Sequence, residues 1–194
     1  EFAQKFPKAT IYLDEGSMNN HIEKLRQGAL DLCYNALPAP DPTSQLKLIP
    51  TSTAEIYATM LPSHPLAVFE KIDLHQLSDT DIILLDAKSC IQGQIMEEFQ
   101  RLGILPRIRS THEQIFCMLN MVKLGNFVGF LNASDPIMRQ YLTDIGLIIR
   151  PLDPPVTLAA GFIVNTRRHL PKLAEELISF TRRLETEGTA KETQ

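Results

Sequence analysis

Strand and helix patterns alternate along this chain, and that alternation restricts it to a small set of α/β folds. The stretch "ATIYLDEG" predicts a short strand, because Ile11 and Leu13 alternate with polar positions and Gly16 ends the run. The next stretch, "SMNNHIEKLRQG", predicts a helix with Ser17 as N-cap and Gly28 just past its end. "ALDLCYNAL" follows as a second strand. A strand, a helix and a strand in one short unit indicate parallel βαβ building.

A second series of the same kind fills the middle of the chain. "DIILLD", "PRIRS" and "NFVGFL" read as strands. "IQGQIMEEFQRLG", "HEQIFCMLNMVKLG" and "DPIMRQYL" read as the helices between and after them, each with an apolar stripe at helical spacing. A last amphipathic helix is predicted over "LPKLAEELISFTRRLE". The pattern therefore predicts the α/β class.

Two segments rich in proline and threonine, "PTST" and "LDPP", bracket the middle series. Each reads as an extended path with an irregular middle, where the chain crosses from one lobe to another. We therefore predict two Rossmann-like lobes joined by two crossings. Lobe I is discontinuous, at 1–52 plus 156–194, and lobe II is 53–155. Two lobes joined in this way form a cleft, which is where small ligands usually bind.

The stretch "MLPSHPLA" raises the question of whether His64 is a working group. Pro62 and Pro65 cannot donate a backbone hydrogen bond, so they end strand pairing on either side of it. Pro65 also restricts His64 to extended conformations. We predict that His64 is a turn residue on the outside of lobe II, away from any bound ligand.

Charge and cysteine content limit the partners and the compartment. The formal net charge is -4, so the chain as a whole does not attract nucleic acid or an anionic membrane. Three cysteines at irregular spacing do not form a disulfide framework and fit a reducing cytosol. No apolar run approaches the roughly 18 residues that span a bilayer. We expect a cytoplasmic protein with no membrane contact.

Motifs for catalysis and for cofactors are absent from the sequence. Walker A, Gly-x-Gly-x-x-Gly and Gly-x-Ser-x-Gly do not occur, and no Cys-x-x-Cys or helical histidine pair suggests a metal site. No paired carboxylates at strand ends suggest acid/base chemistry. We expect no enzymatic activity, no metal and no cofactor.

An ordered set of short motifs resembles the effector-binding domain of LysR-type transcriptional regulators. The set is "F-x-x-x-F-P", "LDEG", "LRQGALDLCY", "MLPSHPLA", "FQRLGILPRI", "MVKLGNFVGFL" and "IIRPLDPP", and it covers nearly the whole chain. The resemblance implies a type II periplasmic-binding-protein-like fold, a small-molecule effector in the interlobe cleft, and a homodimer or tetramer. It also implies a DNA-binding winged helix-turn-helix that is not in this chain, and it implies that the first strand of lobe I is missing.

The resemblance also carries candidate ligand-binding residues onto this sequence. Ser17 matches a hydroxyl position at the mouth of the cleft in lobe I. Thr51 and Ser52 fall at the first crossing. Ser110, Thr111 and Gln114 fall at the predicted start of the helix that ends in "VKLG", which often faces the effector. These hydroxyls and amides suit a small carboxylate or another polar metabolite.

"LLDAKSCIQGQ" resembles the loop that holds the peroxide-reactive cysteine in the oxidant-sensing branch of the family. Cys90 stands at the corresponding place, but the resolving-cysteine position is Phe99 here. That difference argues against disulfide sensing. A reactive Cys90 would need a lowered pKa, which Lys88 or a helix N-terminus could supply.

Two other classes of protein remain open on the sequence. A solute-binding protein of a transport system has the same lobes, and a small enzyme could use Cys90 as nucleophile. The three unpaired cysteines disfavour the oxidising compartment of the first, and no motif supplies a base for the second. For assembly, the helices "NHIEKLRQ" and "IMEEFQRL" are the candidate interface elements.

Overall fold

The computed structural model describes residues 1–16, 18–37 and 45–192 of the 194-residue chain. Contacts divide the chain into two compact units, Glu1–Thr53 with Ala159–Gln194 (unit 1) and Ala54–Leu158 (unit 2). The predicted lobe boundaries, after residues 52 and 155, stay a prediction about domain organisation. In chain order the elements are α1 (Phe2–Lys5), α2 (Met18–Gln27), β1 (Cys33–Leu37), β2 (Leu46–Met60), β3 (Ile72–Asp73), β4 (Asp81–Leu85), α3 (Cys90–Arg101), β5 (Arg107–His112), α4 (Ile115–Leu124), β6 (Val128–Asn132), α5 (Pro136–Asp144), β7 (Ile148–Asn165) and α6 (Lys172–Glu192).

Unit 1 is built on the antiparallel pairing of β1 with the last part of β7, in which Cys33 lies opposite Ile163. The helix α2 packs its apolar stripe on this sheet, and Leu25, Cys33, Leu46 and Ile163 form the buried cluster there. The predicted helix ends as expected, because Gly28 takes the left-handed conformation with φ of 77°.

The predicted strand over "ATIYLDEG" is wrong. Residues 9–16 have no regular structure, and Tyr12 and Leu13 are 89% and 88% exposed. Alternation alone does not make a strand, since a strand needs a neighbour to pair with. Side-chain contacts hold the end of this segment instead. Asp14 accepts a hydrogen bond from Lys24 at 2.6 Å and contacts the buried His21 at 3.1 Å, which fixes the segment to α2.

Unit 2 contains a four-stranded sheet in the order β2-β6-β4-β5. The strand β4 is parallel to both β5 and β6, and β2 is antiparallel to β6. On one face, Phe99 of α3 contacts Phe130 of β6 with ring centroids 6.3 Å apart. On the other face, Met118 of α4 packs in a cluster with Leu131 of β6. Adjacent strand residues point to opposite faces, so α3 and α4 cover opposite sides of the sheet.

The two Pro/Thr-rich crossings both lie within long strands. "PTST" lies inside the continuous 15-residue strand β2, and "LDPP" lies inside the continuous 18-residue strand β7. Proline fixes φ near −65° and threonine favours strands, so both residue types suit extended backbone. Both extended paths were predicted correctly; the predicted irregular middle is absent from "PTST", whereas "LDPP" contains a cis peptide bond between Asp153 and Pro154.

The placement predicted for His64 is also wrong. The residue does stand at a turn, before a 3₁₀ helix over Pro65–Val68, but it is only 4% exposed. Its Nδ1 accepts a hydrogen bond from the Leu66 backbone N–H at 3.1 Å, which caps that helix. The next segment is tied to β7, because the Arg150 guanidinium donates to the carbonyls of Ala67 and Phe69. His64 is therefore an interior cap and not an outer turn residue.

Candidate functional site

The carboxyl ends of β4, β5 and β6 form one edge of the sheet of unit 2. The chain runs from β4 outward to β5 and then returns across β4 to reach β6, so the direction of strand order reverses at β4. In open α/β sheets, ligands bind outside the carboxyl ends of strands at such a reversal. This edge, called here the carboxyl edge, is therefore the candidate site in unit 2. It comprises residues 86–90, 110–115 and 132–136.

Three helices begin at the carboxyl edge, and their N-termini differ. At α5, the Asp135 side chain accepts a hydrogen bond from the Ile137 backbone N–H at 2.8 Å. At α3 and α4, the N-cap residues Ser89 and Gln114 make no side-chain capping hydrogen bond. Backbone N–H groups at a helix N-terminus favour an anion when no side chain satisfies them. The N-termini of α3 and α4 are therefore suited to bind an anionic group, whereas the N-terminus of α5 is already capped by the Asp135 carboxylate.

The loop after β4 is a compact turn that carries a cation. Asp86 accepts from the Lys88 backbone N–H at 3.1 Å, and its own N–H donates to the His112 carbonyl at 2.9 Å. The Lys88 ammonium donates to Glu113 at 2.9 Å. Each partner stabilises the charge of the other, so the pKa of Lys88 is raised and the pKa of Glu113 is lowered. The pair is exposed, so water and salt screen it.

Ser110 and Thr111 do not start a helix, which corrects the sequence prediction. Both lie in β5, and α4 begins only at Ile115. The pairing with β4 shifts by one residue between Ile82 and Ile83, which leaves Arg109 as an extra residue on β5.

This β-bulge decides the face on which each hydroxyl lies. Ser110 pairs with Ile83 and His112 with Leu85, whereas Thr111 pairs with Leu84. Ser110 and His112 therefore share one face, and Ser110 Oγ lies 2.9 Å from His112 Nε2. Thr111 lies on the opposite face. Ser110 and His112 are therefore the polar side chains that contact each other at this edge. Gln114 comes next along the chain, as the N-cap residue of α4.

Cys90 is the first residue of α3 and is partly buried. Desolvation raises the pKa of its thiol, although the backbone N–H groups of Cys90 and Ile91 act in the opposite direction. Lys88 bonds with Glu113 instead of with the thiol. The thiol is therefore protonated at neutral pH, which does not favour a peroxide-reactive or nucleophilic role.

In unit 1, Thr51 and Ser52 meet a residue that sequence reasoning overlooked. The Tyr34 hydroxyl lies 3.2 Å from Thr51 Oγ1 and 3.4 Å from Ser52 Oγ. Thr51 Oγ1 also donates to the Ala160 carbonyl at 3.3 Å. The strand pattern held a signal for Tyr34, since a residue next to Cys33 on β1 points to the face of the sheet opposite the cluster of Leu25 and Cys33.

Ser17 lies outside the described residues, so its predicted role stays a prediction. Within the described ranges, no group of three His, Cys, Asp or Glu side chains is arranged to hold a metal ion. None of the helices in those ranges combines the length and the apolar character that crossing a bilayer requires.

An open groove of about 460 Å³ runs along α3, lined by Gly93, Met96, Glu97, Phe99, Gln100, Ile104, Leu105 and Pro106.

The fold and the carboxyl edge define an α/β ligand-binding domain, and comparison with known proteins identifies its family. The model of the LysR substrate binding domain matches residues 1–185. The chain therefore belongs to the LysR substrate-binding domain family. The family resemblance and the type II periplasmic-binding-protein-like fold predicted from sequence are both confirmed.

Individual proteins are similar to this chain in sequence or in fold. A probable hydrogen peroxide-inducible genes activator of Mycobacterium avium is 28% identical over 109 residues, which cover 56% of this chain and 34% of that protein. The effector-binding domain of QuiR, in complex with shikimate, superposes with a TM-score of 0.81 at 18% identity, covering 96% of this chain and 89% of that one. The regulatory domain of Synechocystis PCC6803 CcmR, in complex with 2-PG, gives 0.80 at 16% identity, covering 95% and 87%. The chain spans 34% to 60% of the length of the curated relatives it matches.

Proposed function

We propose that this domain binds a small carboxylate effector and passes the binding event to DNA-binding segments outside this chain. The observation that carries the proposal is the family match over residues 1–185. The predicted contact residues remain part of the proposal, and they are Ser17, Thr51, Ser52, Ser110, Thr111 and Gln114. The predicted location of the effector between two lobes also stays a prediction.

Two observations support an anionic effector. The N-termini of α3 and α4 lack side-chain caps, so their N–H groups can bind a carboxylate at the carboxyl edge. The structurally similar domains of QuiR and CcmR were solved in complex with shikimate and with 2-PG. Lys88 adds little to this attraction because it is paired with Glu113. Recognition by helix N-termini and hydroxyls therefore fits this edge better than recognition by a cationic side chain.

The output that we propose is regulatory and not catalytic. A ligand that prefers one conformation of the domain shifts the population toward it, and that shift repositions the DNA-binding segments. The assembly that we propose is a homodimer or tetramer in the cytoplasm. The main alternative was a solute-binding protein of a transport system, which shares the fold. The family match favours the regulator.

A binding assay on this domain tests the proposal. Thermal shift and calorimetry are run with a panel of carboxylates that includes shikimate and glycerate, together with the matching carboxamides. We expect at least one carboxylate to bind and its neutral amide to bind at least tenfold more weakly, since hydrogen bonds to a charged group contribute about 1.5–3 kcal/mol.

Variants locate the binding site in the same assay. Ser110→Ala removes a hydroxyl at the carboxyl edge, and we expect roughly tenfold weaker binding. Ser78→Ala is the matched control, because Ser78 is an exposed serine at the end of a 3₁₀ helix over Leu74–Leu77. Equal affinity for carboxylates and amides, or equal losses in both variants, would contradict the proposal.

A further inference from the structure

Ser110 and His112 lie on the face of the sheet of unit 2 that α4 covers. Ser110 pairs with Ile83 of β4, and His112 pairs with Leu85. Ile83 is buried in the same cluster as Met118 of α4, and Leu85 packs against that cluster. Residues paired across two strands point to the same face of a sheet. The two polar side chains therefore lie on the side where α4 begins, three residues after His112.

The contact between these two side chains contains one hydrogen atom, and its position depends on the imidazole. Ser110 Oγ lies 2.9 Å from His112 Nε2, and both side chains are partly buried. If Nε2 carries no proton, the Ser110 hydroxyl must donate its hydrogen to the ring. If Nε2 is protonated, the ring donates to Ser110 Oγ, and the hydroxyl hydrogen becomes free to point elsewhere.

This difference matters to a carboxylate, because a carboxylate only accepts hydrogen bonds. With an unprotonated Nε2, Ser110 has spent its hydrogen on the ring and presents lone pairs to the carboxyl edge. With a doubly protonated ring, Nε2–H is always the donor, so Ser110 presents its hydrogen instead. The charge of His112 therefore determines whether Ser110 can donate to a carboxylate.

The remaining ionisable side chains of the carboxyl edge are Asp86, Lys88, Cys90, Glu113 and Asp135. The bond between Lys88 and Glu113 raises the pKa of Lys88 and lowers the pKa of Glu113, and burial raises the pKa of the Cys90 thiol. The Asp86 and Asp135 carboxylates accept backbone hydrogen bonds, which favour their charged form. Histidine is the side chain whose charge ordinarily changes between pH 5 and 8, so His112 is the residue of this edge that can respond in that range.

We infer that His112 is a positioning residue that makes the Ser110 hydroxyl a hydrogen-bond donor to the carboxylate effector, and that effector binding takes up a proton. This inference rests on the proposed function, because it requires a carboxylate at the carboxyl edge. Binding selects the protonated ring, so His112 takes a proton from the solvent while the effector stays ionised. The affinity for the carboxylate therefore rises as the pH falls from 8 to 5.5.

Calorimetry on the whole domain tests the inference with every carboxylate of the panel, shikimate and glycerate included. We expect binding about tenfold tighter at pH 5.5 than at pH 8. At pH 6.5, titrations in two buffers of different ionisation enthalpy should show that binding takes up protons.

Three variants assign the pH dependence to this pair of side chains. His112→Gln keeps a hydrogen-bonding group for Ser110 but does not titrate, so its affinities at pH 5.5 and 8 should agree within about twofold. Ser110→Ala keeps the imidazole, and it should also reduce the pH effect to about twofold, since only the screened charge of the ring remains. His75→Gln is the matched control, because His75 is an exposed histidine of unit 2 that contacts Asp73 outside the edge, and it should keep the full effect.

The outcomes separate this inference from the proposed function. Loss of the pH effect in His112→Gln and in Ser110→Ala, with the full effect in His75→Gln, supports the inference. Equal wild-type affinity at pH 5.5 and 8, binding without proton uptake, or a pH effect that survives in either variant of the pair overturns it and leaves the proposed function standing. Failure of every carboxylate of the panel to bind at either pH overturns both.

Discussion

His64 links the stability of unit 2 to pH through one buried imidazole. Its Nδ1 accepts from the Leu66 N–H, so that nitrogen must be unprotonated in the native state. Burial lowers the pKa of His64 below its usual 6.5. Because the folded pKa is the lower one, the stabilisation is complete above pH 6.5. It is lost progressively as the pH falls from 6.5 through the folded value.

The variant His64→Asn tests this link at the residue scale. Asparagine also caps helices, so the variant keeps an acceptor for Leu66 but does not titrate. We expect urea unfolding to show that the wild type loses more free energy of unfolding between pH 7.5 and 5 than the variant does. His64→Ala should cost about 1–2 kcal/mol at pH 7.5, because it removes the cap, and less at pH 5, where the wild type has already lost part of that stabilisation. Parallel pH profiles of the wild type and His64→Asn would contradict the assignment.

Cys90 gives a second residue-scale prediction, about oxidant sensing. Burial raises the pKa of its thiol, and the thiolate is the reactive form. Cys117 is exposed on α4. We expect mass spectrometry after brief iodoacetamide treatment at pH 7.5 to find label on Cys117 well before Cys90, and low peroxide to leave Cys90 unmodified. Selective oxidation of Cys90 in a Cys117→Ser variant would show that the thiol is activated after all.

At the scale of elements, the end of α2 depends on one glycine and one arginine. Gly28 has φ of 77°, and a Cβ atom there would lie 1.5 Å from Arg168 Nη1, which donates to the Gln27 carbonyl at 2.6 Å. Gly146 has φ of 80°, but a Cβ atom added there would meet no other atom within 4 Å. Gly146→Ala should therefore cost about 1 kcal/mol for the backbone conformation alone.

We expect Gly28→Ala to cost about 1–2 kcal/mol more than Gly146→Ala, because it also displaces Arg168 from its carbonyl partner. Chemical denaturation measures both variants. The double variant Gly28→Ala with Arg168→Ala removes the collision, so its cost should be less than the sum of the two single costs. If the two single costs add exactly, the alanine at position 28 does not disturb the hydrogen bond from Arg168 to the Gln27 carbonyl.

The same elements show what the sequence can and cannot predict. The helices α2 and α4 were recognisable because their apolar periodicity agrees with the cores they cover. The segment 9–16 has strand-like alternation, but pairing is a property of two segments and cannot be seen in one. The bulge at Arg109 is equally invisible, since it depends on register against β4. Ser110 and Thr111 lie in a strand and not at a helix start because β5 extends to His112, and the bulge sets the face on which each of them lies.

At the scale of the whole molecule, the proposed homodimer needs an apolar surface. The candidate helices α2 and α3 use their apolar stripes within their own units, where Leu25, Ile95 and Phe99 are completely buried. On α4, by contrast, Phe116 and Leu124 are 54% and 81% exposed. If two copies associate through this face, a charge placed there disfavours the dimer because it must be desolvated.

Light scattering at micromolar concentration tests the assembly. We expect a mass of twice the 21.8 kDa of one chain for the wild-type domain and a shift toward one chain for Leu124→Glu. Leu105→Glu is the control, because Leu105 is 89% exposed outside α4 and should leave the dimer intact. A wild-type mass of one chain would remove the proposed dimer.

The most direct test of the central claim is an NMR titration of the ¹⁵N-labelled domain with the carboxylate that binds most tightly. Effector binding at the carboxyl edge predicts that the largest amide shifts fall on residues 88–92 and 110–116, at the start of α3 and α4. Saturable binding whose shifts are confined to the groove along α3, at residues 96–106, would contradict the claim.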